Sequence, residues 1–430
     1  MTVFVGASVF DGLRLHAGAA LVVEDGRVAA IVPRDEAPAG VRVVLDGGVL
    51  GPGFVDLQVN GGGGVMLNGQ PDLAGIQAIC AAHGRLGTAG LLPTLITDTP
   101  EVTRAAVAAG VAAAVEGVPG FLGLHLEGPH LDPRRKGAHD PALIRPMQAE
   151  DLPFLCAAAE RLPALVVTVA PESATTEQVA ALARAGAVVS LGHSDTGAAG
   201  ARAAFAAGAR MVTHLFNAMS QFGNREPGLV GAALDDDGVR AGLIADGVHV
   251  DPVAMRLALA AKRGTDGIFL VTDAMAVAGT ALREFTLNGR RILRRDGRLT
   301  LADGTLAGAD IDFAGAIRVL VREVGVTLEQ ALRMATAGPA IALGKGGTLG
   351  RLVPGGPADM VHLDEEMGLS GVWRGGVAVG LTSSFRRSFC IAVTSANTAA
   401  ATIVKLITVF RKTPRLSVVA PAALAAATDA

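Results

Sequence analysis

Three residues at the ends of apolar runs have the side chains to hold a metal ion together. Glu127 closes GFLGLHLE (120–127), His193 closes VVSLGH (188–193), and His214 lies in MVTHLF (211–216). One carboxylate oxygen and two imidazole nitrogens suit a borderline divalent ion such as Zn2+ and leave a position open for water. Such an ion lowers the pKa of its water from about 15.7 to about 7, which permits hydrolysis at neutral pH. Asp273, in LVTDAM, ends a further run. A carboxylate there could take a proton from water and pass it to a leaving amine. Singly, each residue has a plainer reading, as a hydrogen-bonded interior imidazole or an aspartate capping a loop. Their common place at run ends carries the metal reading; spacing alone does not.

A second group surrounds these four. Arg225 sits in a Gly/Pro-rich stretch, FNAMSQFGNREPGLVG (216–231), with Asn217 and the backbone of Ala218. A guanidinium fork with exposed N–H groups suits a phosphate or a carboxylate, although a solvated surface arginine has the same sequence signature. His249 in ADGVHVD and His139 in RRKGAHD follow apolar runs and read as substrate contacts or as loop histidines without a role. Gln58 and Asn60, in GFVDLQVNGGGG, stand where a metal-dependent hydrolase barrel often carries His-x-His.

Positioning these residues takes a repeating scaffold. Apolar β-type runs occur at 53–59, 90–97, 120–127, 165–171, 188–193, 211–216, 240–246 and 267–273. Amphipathic segments such as TTEQVAALARAG and DPVAMRLALAAKRG separate most of them. Eight such repeats predict an α/β fold, a (β/α)8 barrel whose C-terminal rim gathers the polar residues. A doubly wound open sheet competes, but no G-x-G-x-x-G follows the first run. Residues 1–50 and 347–380 hold short strand signals, including the Asp25-Gly26 hairpin turn, and predict one small β-domain built from both flanks of a 51–346 barrel. Residues 381–430 form an atypical extension. Its apolar part, 388–410, is interrupted by Ser, Thr, Asn397 and Lys405, so a membrane span is not expected and no function is drawn from it.

Composition narrows the function classes. A net charge of −3 without a long basic run argues against nucleic acid. Mean hydropathy is +0.44, much of it from alanine and glycine, which suit tight helix-on-strand packing. No charged-then-apolar leader opens the sequence, and the three cysteines, Cys80, Cys156 and Cys390, are far apart, so a reduced cytoplasmic protein is expected.

The motifs PGFVDLQVNG, HLEGPH, KGAH, LGHS, THLFNAM, REPGLVG, ADGVHVD, VTDAM and LAG occur in one order. Together they resemble the N-acetylglucosamine-6-phosphate deacetylase family of the amidohydrolase superfamily, over residues 1 to about 380. The resemblance implies a (β/α)8 barrel with a small β-sandwich from both termini. It implies hydrolysis of the acetamide of N-acetyl-D-glucosamine 6-phosphate, giving glucosamine 6-phosphate and acetate. Glu127, His193 and His214 would bind one divalent ion, with Zn2+ expected and Fe2+, Co2+ or Mn2+ as alternatives. Asp273 would be general base and acid. Ala138, His139, Asn217, Ala218, His249 and the Leu306-Ala307-Gly308 loop would contact substrate, and Arg225 the phosphate, in some members across a dimer interface. A homodimer or homotetramer is implied. Gln58 and Asn60 depart from His-x-His and imply one metal rather than two. A cyclic-amide hydrolase resembling dihydroorotase or cytosine deaminase is the competing enzyme. A non-catalytic barrel that binds a sugar phosphate is the competing non-enzyme.

Overall fold

The computed structural model describes residues 1–379, 390–393 and 405–408. The proposed extension at 381–430 otherwise lies outside the described residues. Eight parallel strands in chain order make the central sheet. They are β1 (Phe54–Val59), β2 (Thr88–Ile96), β3 (Leu124–Glu127), β4 (Leu165–Val169), β5 (Val188–Leu191), β6 (Met211–Val212), β7 (Arg240–Leu243) and β8 (Ile268–Leu270). Several are shorter than the apolar runs that announced them: β6 keeps two residues of six. The remaining residues of these runs turn out of the sheet toward the C-terminal rim, which is where the polar residues stand.

Closure of the sheet into a barrel comes just beyond the ladder. Val59 bridges Ala274 in parallel, and the Ala274 carbonyl accepts from the backbone N–H of Asn60 and of Gly61 at 2.8 and 3.1 Å. Gly61 must be glycine there, because a Cβ would lie 2.3 Å from the Val65 carbonyl oxygen and 2.9 Å from the Ala276 nitrogen. Below the rim, the Asp56 carboxylate accepts from the Thr272 hydroxyl and backbone N–H across the same seam.

Helices cover the outside of the sheet. Their starts carry the expected chemistry: Thr99 caps Pro100–Glu116, Thr175 makes a capping box on Thr176–Arg184, and Asp251 caps Pro252–Ala261. Among the described residues, no helix is long and apolar enough to cross a membrane.

Both termini contribute to a β-sandwich beside the barrel. One sheet holds Thr2–Val5, Ala19–Glu24, Arg27–Pro33 and Val41–Val44, extended by Cys390–Val393 and Lys405–Thr408. The other runs from Ser8–Phe10 and Leu15–His16 through Val49–Pro52 to Met360–Leu363, Leu369–Arg374 and Val377–Ala378. Phe4 meets Trp373 edge-on between them, with ring centroids 5.3 Å apart. A four-stranded antiparallel sheet follows β8, made of Glu284–Leu287, Arg290–Arg295, Arg298–Thr300 and Leu306–Ala309. It was not foreseen, although its Asn288-Gly289 and Asp296-Gly297 turns, all at positive φ, are ordinary hairpin signals.

The base of β1 anchors the barrel to its helical coat. Phe54 is fully buried and its ring lies 5.1 Å from that of Phe313. Phe54→Ala should lower unfolding free energy by about 3–5 kcal/mol in denaturant titration. Asp237→Asn, which removes an exposed partner of Arg263, should change it by less than about 1 kcal/mol.

Candidate active site

Glu127 is the last residue of β3, while His193 and His214 lie two residues past β5 and β6, and Asp273 three residues past β8. Each of the latter three has a left-handed backbone, with φ of 48°, 30° and 48°. Such conformations cost on the order of 1–2 kcal/mol for a residue with a Cβ and persist where the surroundings demand them. Here they turn three side chains inward from three separate loops.

The four groups meet in a small volume. His193 Nε2 and His214 Nε2 lie 3.2 and 3.0 Å from Glu127 Oε1, and 3.1 Å from each other. His193 Nδ1 donates to the Arg135 carbonyl at 2.8 Å, so its Nε2 is the lone-pair nitrogen. An ion with ligand distances of about 2.0–2.1 Å in tetrahedral geometry holds neighbouring donors about 3.3 Å apart. Both the donor set and its spacing therefore fit one divalent ion. Burial pushes the Glu127 carboxyl pKa up, but hydrogen bonds and charge from His193 and His214 outweigh it and hold the group well below its usual range.

Gln58 and Asn60 lie across the barrel seam. Gln58 Nε2 sits 3.2–3.3 Å from both Glu127 oxygens and 3.1 Å from Asp273 Oδ1. Asn60 Nδ2 donates to the same Asp273 oxygen at 2.6 Å. An amide nitrogen thus stands between two carboxylates, where it offers hydrogens and no lone pair to a cation. Burial, and next the Glu127 charge, raises the Asp273 carboxyl pKa to about 6.

A cavity of about 360 Å³ opens above this cluster, within the range of small-molecule sites. Asn60, Glu127, His193, His214 and Asp273 form its floor; Ala138, His139, Asn217, Ala218, His249, Leu306 and Gly308 stand around it. His249 Nδ1 donates to Asp246 at 2.6 Å, which leaves Nε2 for the cavity. His139 is buried, its ring centroid 4.3 Å from that of His193. Glu127, His139 and His193 also place ligand-capable atoms within 4.8 Å of one another, so distance alone admits His139 to the metal set.

Two expected contacts do not line this cavity. Ala307 faces the apolar cluster under the inserted sheet, because neighbours along a strand alternate sides. Arg225 lies in an exposed turn. Arg134 and Arg135, which were not singled out, do line it, paired with Asp132 and Asp195. Thr97, also passed over, holds the His139 ring.

The model of the amidohydrolase family matches residues 49–400. The chain belongs to the amidohydrolase family. This amidohydrolase is 38% identical over 380 residues to an N-acetylgalactosamine-6-phosphate deacetylase of Shewanella sp. (strain ANA-3), covering 87% of this chain and 95% of that protein. It is 36% identical over 345 residues to the N-acetylglucosamine-6-phosphate deacetylase of Haemophilus influenzae, covering 79% and 89% of the two. The crystal structure of N-acetylglucosamine-6-phosphate deacetylase from Pasteurella multocida superposes with a TM-score of 0.84 at 35% identity, covering 88% and 99%.

The Asp273 environment yields a titration prediction. In metal-free protein, the Asp273 carboxyl carbon should titrate by NMR with a midpoint near 6, above the ordinary aspartate value of about 3.9. Asn60→Ala removes a donor that favours the carboxylate, so the midpoint should move upward.

Proposed function

We propose that this amidohydrolase removes the acetyl group of N-acetyl-D-glucosamine 6-phosphate, giving glucosamine 6-phosphate and acetate. One observation carries the reading: Asp273 stands beside the Glu127–His193–His214 cluster on the floor of a cavity of about 360 Å³, sharing the Gln58 amide with Glu127. Glu127, His193 and His214 hold one divalent ion, for which Zn2+ suits the mixed nitrogen and oxygen set, with Fe2+, Co2+ or Mn2+ as alternatives. When bound, the ion polarises the acetamide carbonyl and acidifies water.

The protein's own groups carry the remaining steps. Asp273, oriented by Gln58 and Asn60, takes one proton from the attacking water. It returns that proton to the amine nitrogen as the C–N bond breaks, so the nitrogen leaves as a neutral amine. His139 donates to the carbonyl oxygen as negative charge grows there. His249, Asn217, Ala218 and the Leu306-Ala307-Gly308 strand fix the sugar and its phosphate; Ala307 acts by seating its two neighbours.

Arg225 fits a phosphate contact made from one subunit into its partner's site, since it lies exposed and away from its own cavity. A homodimer, or a homotetramer of dimers, follows from that assignment. The cytoplasm is proposed as its location, in keeping with the free thiols of Cys80 and Cys156. The domain division proposed is 1–50 with 347–380, a barrel at 51–346, and an extension at 381–430. The 38% identical Shewanella protein, named for the galacto epimer, supports a second substrate, N-acetylgalactosamine 6-phosphate.

Zinc-loaded protein given either N-acetylhexosamine 6-phosphate should release acetate, with the gluco epimer turned over faster. Asp273→Asn should lower kcat by about 10²- to 10⁴-fold while about one ion per chain is retained. Absence of acetate from both sugars would refute the deacetylase reading, and two ions per chain would refute the single-metal assignment. For Arg225→Ala, KM for the phosphorylated sugar should rise about tenfold or more with a smaller change in kcat. Sedimentation should find the wild type as at least a dimer; a monomer with full affinity would remove Arg225 from the site.

A further inference from the structure

We propose that Thr97 is a positioning residue that locks His139 as its Nε2–H tautomer, so that His139 presents a hydrogen-bond donor to the reaction site. The inference rests on the deacetylase reading only for the identity of the carbonyl that receives the bond.

The tautomer follows from which groups can donate. His139 Nδ1 lies 3.3 Å from the Thr97 backbone nitrogen and 2.7 Å from its hydroxyl oxygen. A backbone N–H only donates, so Nδ1 must accept with its lone pair. The single proton of the neutral ring is then on Nε2. Thr97 is the first residue past β2, and nothing in its side chain suggests chemistry; its place under the ring does.

Thr97 is itself held from two directions. Its hydroxyl lies over Gly128, where a Cβ would come within 2.2 Å of Thr97 Oγ1, and φ at Gly128 is +93°. That close approach requires glycine immediately after Glu127. From above, Asn288 at the tip of the inserted sheet donates to the Thr97 carbonyl at 3.4 Å, and its neighbour Arg290 donates to the carbonyl of Ala138. These two bonds tie the inserted sheet to the backbone of Thr97 and of Ala138, the residue before His139.

The tautomer decides between two roles that distance leaves open. With a lone pair on Nε2, the nitrogen left free by Thr97, His139 would have an atom to offer as a ligand, and one of its ring nitrogens lies within 4.8 Å of ligand atoms of Glu127 and His193. With a proton there, it cannot coordinate and can only donate. Thr97 therefore keeps the ligand set to Glu127, His193 and His214, and leaves the fourth position to water and substrate.

Nitrogen-15 NMR of the zinc-loaded protein, with His139 assigned through His139→Gln, reads the tautomer directly and needs no substrate. Wild type and Thr97→Ser should show a protonated Nε2 and an unprotonated Nδ1. Thr97→Val matches threonine in shape and keeps the backbone donor at 3.3 Å but loses the shorter hydroxyl bond at 2.7 Å. The variant then holds the Nε2–H form less firmly and should show a mixture of tautomers. Its kcat should fall about ten- to a hundredfold with KM within about twofold, short of the loss of about 10²- to 10³-fold for removing a whole donor. Thr97→Ser should stay within about threefold of wild type. A protonated Nδ1 in the wild type would overturn the proposal, as would a folded Thr97→Val indistinguishable from wild type in tautomer and kcat. If Thr97→Val does not fold, the wild-type and serine spectra still decide. A protein with the stated tautomer but no turnover would count against the deacetylase reading and for the role of Thr97.

Discussion

The barrel seam is the constraint on which the site depends. The other seven junctions between strands are closed by backbone ladders, whereas the eighth strand meets the first through a single bridge at Val59 and Ala274. Side chains complete the junction: Asp56 with Thr272 below, Gln58 and Asn60 with Asp273 above. Groups that read as chemistry are therefore also the closure of the fold. The carboxylate that moves a proton is held by the same bonds that keep the barrel shut, which limits how far it can stray from Glu127.

Burying two carboxylates together is expensive, and the surroundings offset this in different ways for each. Glu127 faces two imidazoles and is held anionic. Asp273 accepts from the amides of Gln58 and Asn60, and burial and the Glu127 charge raise its pKa to about 6. Neighbouring acids in unlike environments can then differ in role, one a permanent anion and the other able to exchange a proton near neutrality. A His-x-His pair at 58 and 60 would offer lone pairs where these amides offer hydrogens, so the substitution changes the charge logic of the floor as well as its capacity for metal.

Much of this was legible in the residue order, for physical reasons. Apolar runs of period-two or fully buried type mark barrel strands, and polar residues at their ends mark the rim, so Glu127, His193, His214 and Asp273 stood out. Asn217, Ala218 and His249 followed from their loops. What stayed hidden depended on which loops converge. Arg225 and Arg134 look alike in sequence, yet one lies in an exposed turn and the other beside the cavity. Thr97 is an ordinary β-former until its hydroxyl is seen under an imidazole. The inserted sheet went unseen because its strands are short and the longest, RRILRR, has arginines on both faces instead of a clean apolar alternation, despite two evident hairpin turns.

The sandwich has a consequence for synthesis on the ribosome. Val49–Pro52 pairs on one side with Ser8–Phe10, an early neighbour, and on the other with Met360–Leu363, which is made some three hundred residues later. At about 5–20 residues per second, the first fifty residues wait roughly 15 to 60 seconds for their partner strands. During that interval the barrel can form while an unpaired, largely apolar sheet edge stays open. The nascent chain is therefore most exposed to sticking or to chaperone capture near its first fifty residues, and the synthesis of Met360–Leu363 ends the exposure of that edge.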